Sequence, residues 1–441
     1  MKNTDTPALE NVRHELTDAR RRTLDLIAPL GDDDLHRQHD PLMSPIAWDL
    51  GHIGNFEELW GIRSLPRSQE VFPELDDMYD AVKHPRATRA SLPLPNRSEL
   101  LDYLDGIRRV LIGRMGEAID DPTHSEHPLL RDSFVYAMLA QHEQQHNETI
   151  LQTLQLKQGD PYRPALPHRH LPEGDRSVRG MVEIAGGTFV MGTDRMSGVY
   201  DNERPAHRVE LGAYRIGRAP VSVGEYLQFV ENGGYTTREY WSDEGWAYID
   251  DEGIDAPKYW ERDDEGEWTT RSMNVAERLN HDRPVVHVCW HEAEAYCRFV
   301  GMRLPTEAEW ERAAGWSESE ERLLLFPWGD EPWTPRRANL DMLGWRAAAI
   351  GAYPDGVSPS GCHQMIGDVW EWVADPFAGY PGFEAFPYDE YSKIFFGSDY
   401  RVLRGGSWAT RPGAIRNTFR NWDFPIRRQI FSGFRVAADP L

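Results

Sequence analysis

The stretch Gln141-His142-Glu143-Gln144-Gln145-His146-Asn147-Glu148-Thr149-Ile150 decides how the first part of this chain is read. It lies in a helical pattern that starts near Ser133 and is stopped by Gly159 and Pro161. Two histidines four apart on a helix rise from the same face, with side-chain origins roughly 6 Å apart, so both imidazoles can reach one ion. A metal centre is the first expectation.

The same letters spell H-E-x-x-H, in which the glutamate of a zinc protease acts as general base. Such a site needs a third ligand and an open position. The extended motif would continue with glycine and then histidine, but Thr149 and Gln152 stand there. A downstream glutamate ligand would have to come from Glu173, which falls in the proline-interrupted stretch from Pro164 to Gly174, not on a second helix. The protease reading therefore lacks its third ligand. A blander reading keeps both histidines as hydrogen-bonded residues of a buried helix.

Working outward, Val12, Leu16, Ala19, Thr23 and Ile27 recur at helical spacing and predict an amphipathic helix ending near Pro29. Ser44-Pro45 predicts an N-cap and first helical residue, followed by a helix through Trp60 that carries Leu50, Ile53 and His52. Prolines interrupt residues 63–95, where Arg86 and Arg89 lie three apart on an irregular loop and could grip a carboxylate. Asn96 with Glu99 predicts a capping box for a third helix bearing Leu100, Leu104, Ile107 and Leu111. Four such helices form an up-and-down bundle in which ligands project inward from facing helices, and His52 can join His142 and His146.

The whole chain has 441 residues and a formal charge of −24, which repels nucleic-acid phosphates and anionic membrane surfaces. Met1 to Arg22 holds no apolar signal-peptide core, and no run reaches the length of a membrane span, so a soluble, cytoplasmic protein is expected. Cys289, Cys297 and Cys362 make no C-x-x-C pair and read as buried thiols.

The fold class expected is α+β multidomain: residues 1–162 as the bundle, 163–180 as a linker, and 181–441 as an irregular domain of short strands and many loops. Fourteen of the sixteen tryptophans fall in that last part. Helices are expected there at Val223 to Asn232, at His291 to Val300, and from Thr306, where Glu309 completes a capping box.

Several pieces of the second part carry a resemblance: Gly186-Gly187-Thr188-Phe189, Arg303-Leu304-Pro305-Thr306-Glu307-Ala308-Glu309-Trp310, Gly367-Asp368-Val369-Trp370-Glu371-Trp372 and Arg404-Gly405-Gly406-Ser407-Trp408. They resemble the formylglycine-generating enzyme and sulfatase-modifying-factor fold, a C-type-lectin-like domain. The copper-binding cysteine pair of those enzymes has no counterpart, because no cysteine follows Cys362. The first part looks like a DinB-like four-helix bundle with a three-histidine metal site.

In this order the two domains resemble the sulfoxide synthases of ergothioneine biosynthesis. Local matches include Asp40-Pro41-Leu42-Met43-Ser44-Pro45, Trp48-Asp49-Leu50-Gly51-His52-Ile53-Gly54, His84-Pro85-Arg86, Arg420-Asn421-Trp422-Asp423 and Pro425-Ile426-Arg427-Arg428-Gln429-Ile430-Phe431. The resemblance implies Fe(II) as cofactor, O2 as co-substrate, and hercynine and γ-glutamylcysteine as small-molecule substrates. It implies that His52, His142 and His146 hold the iron and that Gln145 orients the hercynine imidazole. Arg86 and Arg89 would receive the glutamyl part of the thiol, and Asp423 its ammonium. Asn421 and Trp422 would contact hercynine, the indole face suiting a trimethylammonium group. In Phe386-Pro387-Tyr388-Asp389-Glu390-Tyr391, Tyr388 would donate the proton that steers reaction towards carbon-sulfur bonding, and Tyr391 would help bind hercynine.

Three alternatives share parts of this pattern. A selenoneine synthase forms a carbon-selenium bond on hercynine with the same architecture. Ovothiol synthases usually add a C-terminal methyltransferase, for which no room is expected before Leu441. A lectin-like binding module with a structural metal is the non-enzymatic reading.

Overall fold

Leu16, Ala19, Thr23 and Ile27 form the buried stripe of a first helix, α1 (Thr6–Ile27), in the computed structural model, which describes residues 6–118, 126–164, 166 and 168–440. Residues 1–5 of the polar N-terminal stretch, and 165 and 167 of the expected linker, lie outside the described residues. The chain divides into two compact units, Met1–Pro167 with Arg195–Val199, and His168–Asp194 with Tyr200–Leu441.

The first unit continues through α2 (Asp32–His36), α3 (Ile46–Glu58), α4 (Asp76–Tyr79), α5 (Arg97–Ala118) and α6 (Phe134–Leu156). The long helices are α1, α3, α5 and α6; α1 packs on α6, and α3 on α5 and α6. The expected capping box of α5 forms: Asn96 N donates to Glu99 Oε2 at 2.9 Å, and Glu99 N to Asn96 Oδ1 at 3.2 Å. Leu100, Leu104, Ile107 and Leu111 are fully buried along its inner stripe.

Three local expectations are corrected. Ser44 does not cap α3: the N-cap is Pro45, without a side-chain bond, because the Ser44 hydroxyl instead accepts from Arg89 Nη1 at 2.7 Å. The helical path also runs past Trp60 as a π-helical turn, Leu59–Arg63. The stretch expected to be irregular holds short helices, among them the 3-10 helix Arg86–Ser91.

A buried ionic cluster joins the four long helices. Arg20 of α1 donates to Glu57 of α3 (2.9 Å) and Glu143 of α6 (2.7 Å), while Arg108 of α5 pairs with the same two carboxylates at 2.7 Å each. Thr23 adds a hydroxyl to Glu143 Oε1 at 2.8 Å, and the arginines reach the carbonyls of Leu104 and Leu16. Every member is satisfied, which is the condition under which buried charge is tolerated.

In the second unit a four-stranded sheet is ordered Asn421–Asp423, Arg401–Arg404, Trp370–Pro376, Ser432–Phe434; its last pair is parallel and the others antiparallel. Met181–Ile184, Tyr214–Gly217 and Ala437–Ala438 make a second, antiparallel sheet. Helices α7 (Val223–Glu231), α8 (Asp243–Asp251), α9 (Trp290–Phe299) and α10 (Glu307–Gly315) surround them. The Thr306–Glu309 capping box opens α10 as expected, whereas α8, begun by Ser242 accepting from Gly245 N, was not anticipated. Nor was the meander of Glu261–Arg262, Trp268–Ser272 and Val275–Arg278. The repeated tryptophan motif is explained by core pairing: Glu371 is buried against Arg435 at 2.6 Å and receives the Trp310 indole N–H at 2.7 Å, with Trp372 fully buried beside it. At Gly405 (φ +87°) an added Cβ would meet the Met365 carbonyl at 2.5 Å, so only glycine fits there.

Removing one partner of a fully buried pair leaves the other charge uncompensated. Glu143→Ala is therefore expected to destabilise the protein by about 3–5 kcal/mol in urea unfolding. A loss under about 1 kcal/mol would show that the cluster does not hold the bundle.

Candidate metal centre

His52 of α3 and His142 and His146 of α6 converge, with one ring nitrogen of each lying within 4.8 Å of the others. The ring centroids are 5.2 Å apart for His52 and His142, 5.2 Å for His52 and His146, and 4.6 Å for His142 and His146. No other group of three or more His, Cys, Asp or Glu side chains with metal-binding spacing occurs among the described residues.

Each ring is held differently. His52 Nδ1 lies 2.9 Å from the Tyr79 carbonyl, so it donates there and leaves Nε2 as the ligand atom. Tyr79 can approach because residue 51 is glycine: a Cβ at Gly51 would overlap the Tyr79 ring at 1.9 Å. His52 also stacks on Trp48 at 4.8 Å and 13°. His142 stacks on Phe56 at 3.8 Å and 11°. His146 Nδ1 lies 3.3 Å from Asp49 Oδ1. Burial, reinforced by the neighbouring imidazoles, pushes His52 down to about 3 and His142 well below its ordinary value, so both stay neutral, the form that binds a metal. The donor set fits a divalent ion that prefers nitrogen: three imidazoles from two helices.

Glu143 cannot serve as a protease base. Both its oxygens are committed to Arg20, Arg108 and Thr23 in the buried cluster.

The remaining sequence-predicted residues fall in two groups. In the first unit, Gln145 is half-buried on α6. Arg86 is exposed, whereas Arg89 is buried, with its guanidinium 3.4 Å over the Trp48 ring. Arg89 donates to the His84 carbonyl, Ser44 Oγ and the Ala81 carbonyl, and no carboxylate lies at ion-pair distance among the described residues. Burial, with the adjacent Arg86 charge, lowers it to about 10 against the attraction of Asp49.

In the second unit, Asn421, Trp422 and Asp423 share one edge strand. Trp422 lays one face on Phe377 at 4.2 Å and 6° and meets Tyr391 edge-on at 5.7 Å. Tyr391 stacks on Tyr200 at 4.3 Å and lies 6.3 Å from Tyr388. Asp423 faces Arg427 at 3.2 Å. Burial raises the Tyr388 phenol well above its ordinary value, so it remains protonated. Tyr79, Asp49, Phe56 and Tyr200 were not singled out as site residues. Asp49 and Phe56 carry a signal in their i,i+3 and i,i+4 spacing to His52.

Residues 15–150 match the DinB superfamily, and residues 168–440 match the sulfatase-modifying factor enzyme 1-like domain. The chain is 43% identical to a hercynine oxygenase of Mycolicibacterium thermoresistibile over 442 residues, covering 98% of this chain and 96% of that protein. A hercynine oxygenase of Mycobacterium tuberculosis is 44% identical over 437 residues, covering 98% and 99%. The chain belongs to the hercynine oxygenase family. It is accordingly an oxygenase, with the family's bundle followed by its sulfatase-modifying-factor domain. A formylglycine-generating enzyme of Thermomonospora curvata is 32% identical but matches only 60% of this chain, while 95% of that enzyme is covered. Unlike a copper-binding thiol pair, Cys289, Cys297 and Cys362 are buried and unpaired, and burial pushes all three up.

The neutral imidazoles give a pH signature to the metal-free protein. His52 protonates near about 6.5 when unfolded but only near about 3 when folded, so the unfolded state takes up more protons as pH falls and stability drops from about pH 6.5 downward. In chelator-treated protein the melting temperature should fall between pH 7.5 and pH 5, and fall less in a His52→Asn, His142→Asn variant. Parallel curves for the two proteins would contradict the neutral assignment.

Proposed function

We propose that the chain is an Fe(II)- and O2-dependent sulfoxide synthase joining γ-glutamylcysteine to the imidazole of hercynine. The observation that carries this reading is the three-histidine centre in a chain similar over nearly its whole length to hercynine oxygenases. His52, His142 and His146 would hold the iron, which when bound supplies the oxidising chemistry with O2.

The chain's own groups account for binding and proton control. Gln145, one residue before His146, offers an amide to the hercynine imidazole. Trp422, packed against Phe377 and Phe395, would with Asn421 and Tyr391 contact the trimethylammonium end. Arg89 is a buried cation with no carboxylate at ion-pair distance among the described residues, so the arriving glutamyl carboxylate would compensate it, with exposed Arg86 assisting. Asp423 would take the substrate ammonium beside Arg427. Tyr388 keeps its proton at neutral pH and can donate it from a fixed position, favouring carbon-sulfur bonding over oxidation of the thiol alone. A cytoplasmic location belongs to the same reading. The full-length similarity does not favour the selenium-transferring or binding-module alternatives.

The test is turnover of anaerobically Fe(II)-loaded protein with hercynine and thiol, following O2 uptake and product mass. γ-Glutamylcysteine should be used at least about tenfold more efficiently than cysteine, which leaves Arg89 without its counter-charge. Tyr388→Phe should bind substrates normally but shift product from sulfoxide to oxidised thiol. Equal efficiency with both thiols removes the arginine assignment, and an unchanged product ratio shows that the proton comes from elsewhere.

A further inference from the structure

The three histidines are not equivalent in what stands behind them. His52 leans on a neutral carbonyl and His142 on an aromatic face, but His146 faces a carboxylate. That carboxylate, Asp49, sits in the first turn of α3, three residues before His52, so one helix carries both a ligand and the group behind a ligand on α6. Asp49 is 1% exposed. Among the described residues its Oδ2 is buried without a hydrogen-bond partner, and the His146 Nδ1, 3.3 Å from Oδ1, is not aligned for a hydrogen bond.

A buried carboxylate in this state lowers stability. A helix N-terminus favours an acid, yet an exposed one would serve equally well. Beyond the longer-range attraction of Arg89, which lies outside ion-pair distance, nothing in the packing of the bundle calls for a charge here. What does call for it is an imidazole that must turn its other nitrogen towards an ion: the carboxylate accepts Nδ1–H, fixes the tautomer and raises the basicity of Nε2. Turning the His146 ring so that Nδ1–H aligns with Oδ1 would satisfy this buried nitrogen.

We propose that Asp49 is the positioning residue for His146, holding its Nδ1–H so that Nε2 faces the metal and making His146 the strongest of the three ligands. This rests on the reading that the three histidines hold the metal. Asp49 acts through His146, and its stacked neighbour Trp48, sandwiched between Arg89 and His52, ties the same turn to a second ligand.

The experiment measures Co(II) affinity of the full chain by chelator competition, with the d–d absorption of Co(II) as a signature of the ligand field. It is run beside the melting temperature of the metal-free protein. Asp49→Asn keeps the shape and an acceptor oxygen but loses the charge. It should bind Co(II) at least about tenfold more weakly and alter the spectrum, while the metal-free protein melts at the parent temperature or above. Asp49→Ala, which loses the acceptor too, should be weaker still. Parent-like affinity in both variants, or a loss of affinity matched by a lowered metal-free melting temperature in both, overturns the proposal. His146→Ala separates the two readings. If it loses Co(II) while Asp49→Asn and Asp49→Ala do not, only the positioning role fails; if it binds like the parent, the three-histidine centre fails and the positioning role with it.

Discussion

The double pairing of Glu57 and Glu143 with Arg20 and Arg108 is the constraint on which the bundle and its histidines depend. Each long helix contributes one charged member, so the cluster fixes how all four are rotated about their axes. Adjacent residues on a helix point about 100° apart. Once Glu143 is turned to the two arginines, His142 and His146 face in a different direction, towards α3. The motif letters that suggest a protease thus divide their work: the glutamate sets the rotation of α6, and the histidines use it. Because every donor and acceptor of the cluster is matched, it contributes specificity of arrangement more than net stability.

A second layer of constraint comes from the first turns of α3. Between Ser44 and His52 the chain places a hydroxyl on Arg89, an indole between Arg89 and His52, a carboxylate behind His146, and a glycine that admits Tyr79. These contacts explain why the residues around a single ligand form so dense a local pattern. Substituting Gly51 would displace Tyr79 and with it the carbonyl that fixes the His52 tautomer.

Much of this was legible in the sequence, because it was written in local spacing. The stripe of α1, the reciprocal Asn96–Glu99 and Thr306–Glu309 caps, and the i,i+4 histidines need only neighbours on one helix. What escaped depends on residues far apart in the chain. Ser44 looks like a cap until Arg89, forty-five positions away, claims it. The role of Glu143 follows from partners 123 and 35 positions distant. Arg195–Val199 groups with the first unit, where the Gln141 amide donates to the Gly198 carbonyl at 3.1 Å, and no periodicity marks such a return. The site residues of the second part came from resemblance rather than pattern, since short strands and loops carry little periodicity.

The central claim is that α3 and α6 present three imidazoles and no carboxylate to the ion. An anomalous-difference map at the iron edge, from crystals of the anaerobically Fe(II)-loaded protein, tests it most directly. The account predicts one peak at roughly 2.1 Å from a ring nitrogen of each of His52, His142 and His146, with Glu143 still on its arginines and Asp49 outside bonding distance. A peak bonded to an oxygen of Glu143 or Asp49, or one lying away from the three histidines, would contradict it.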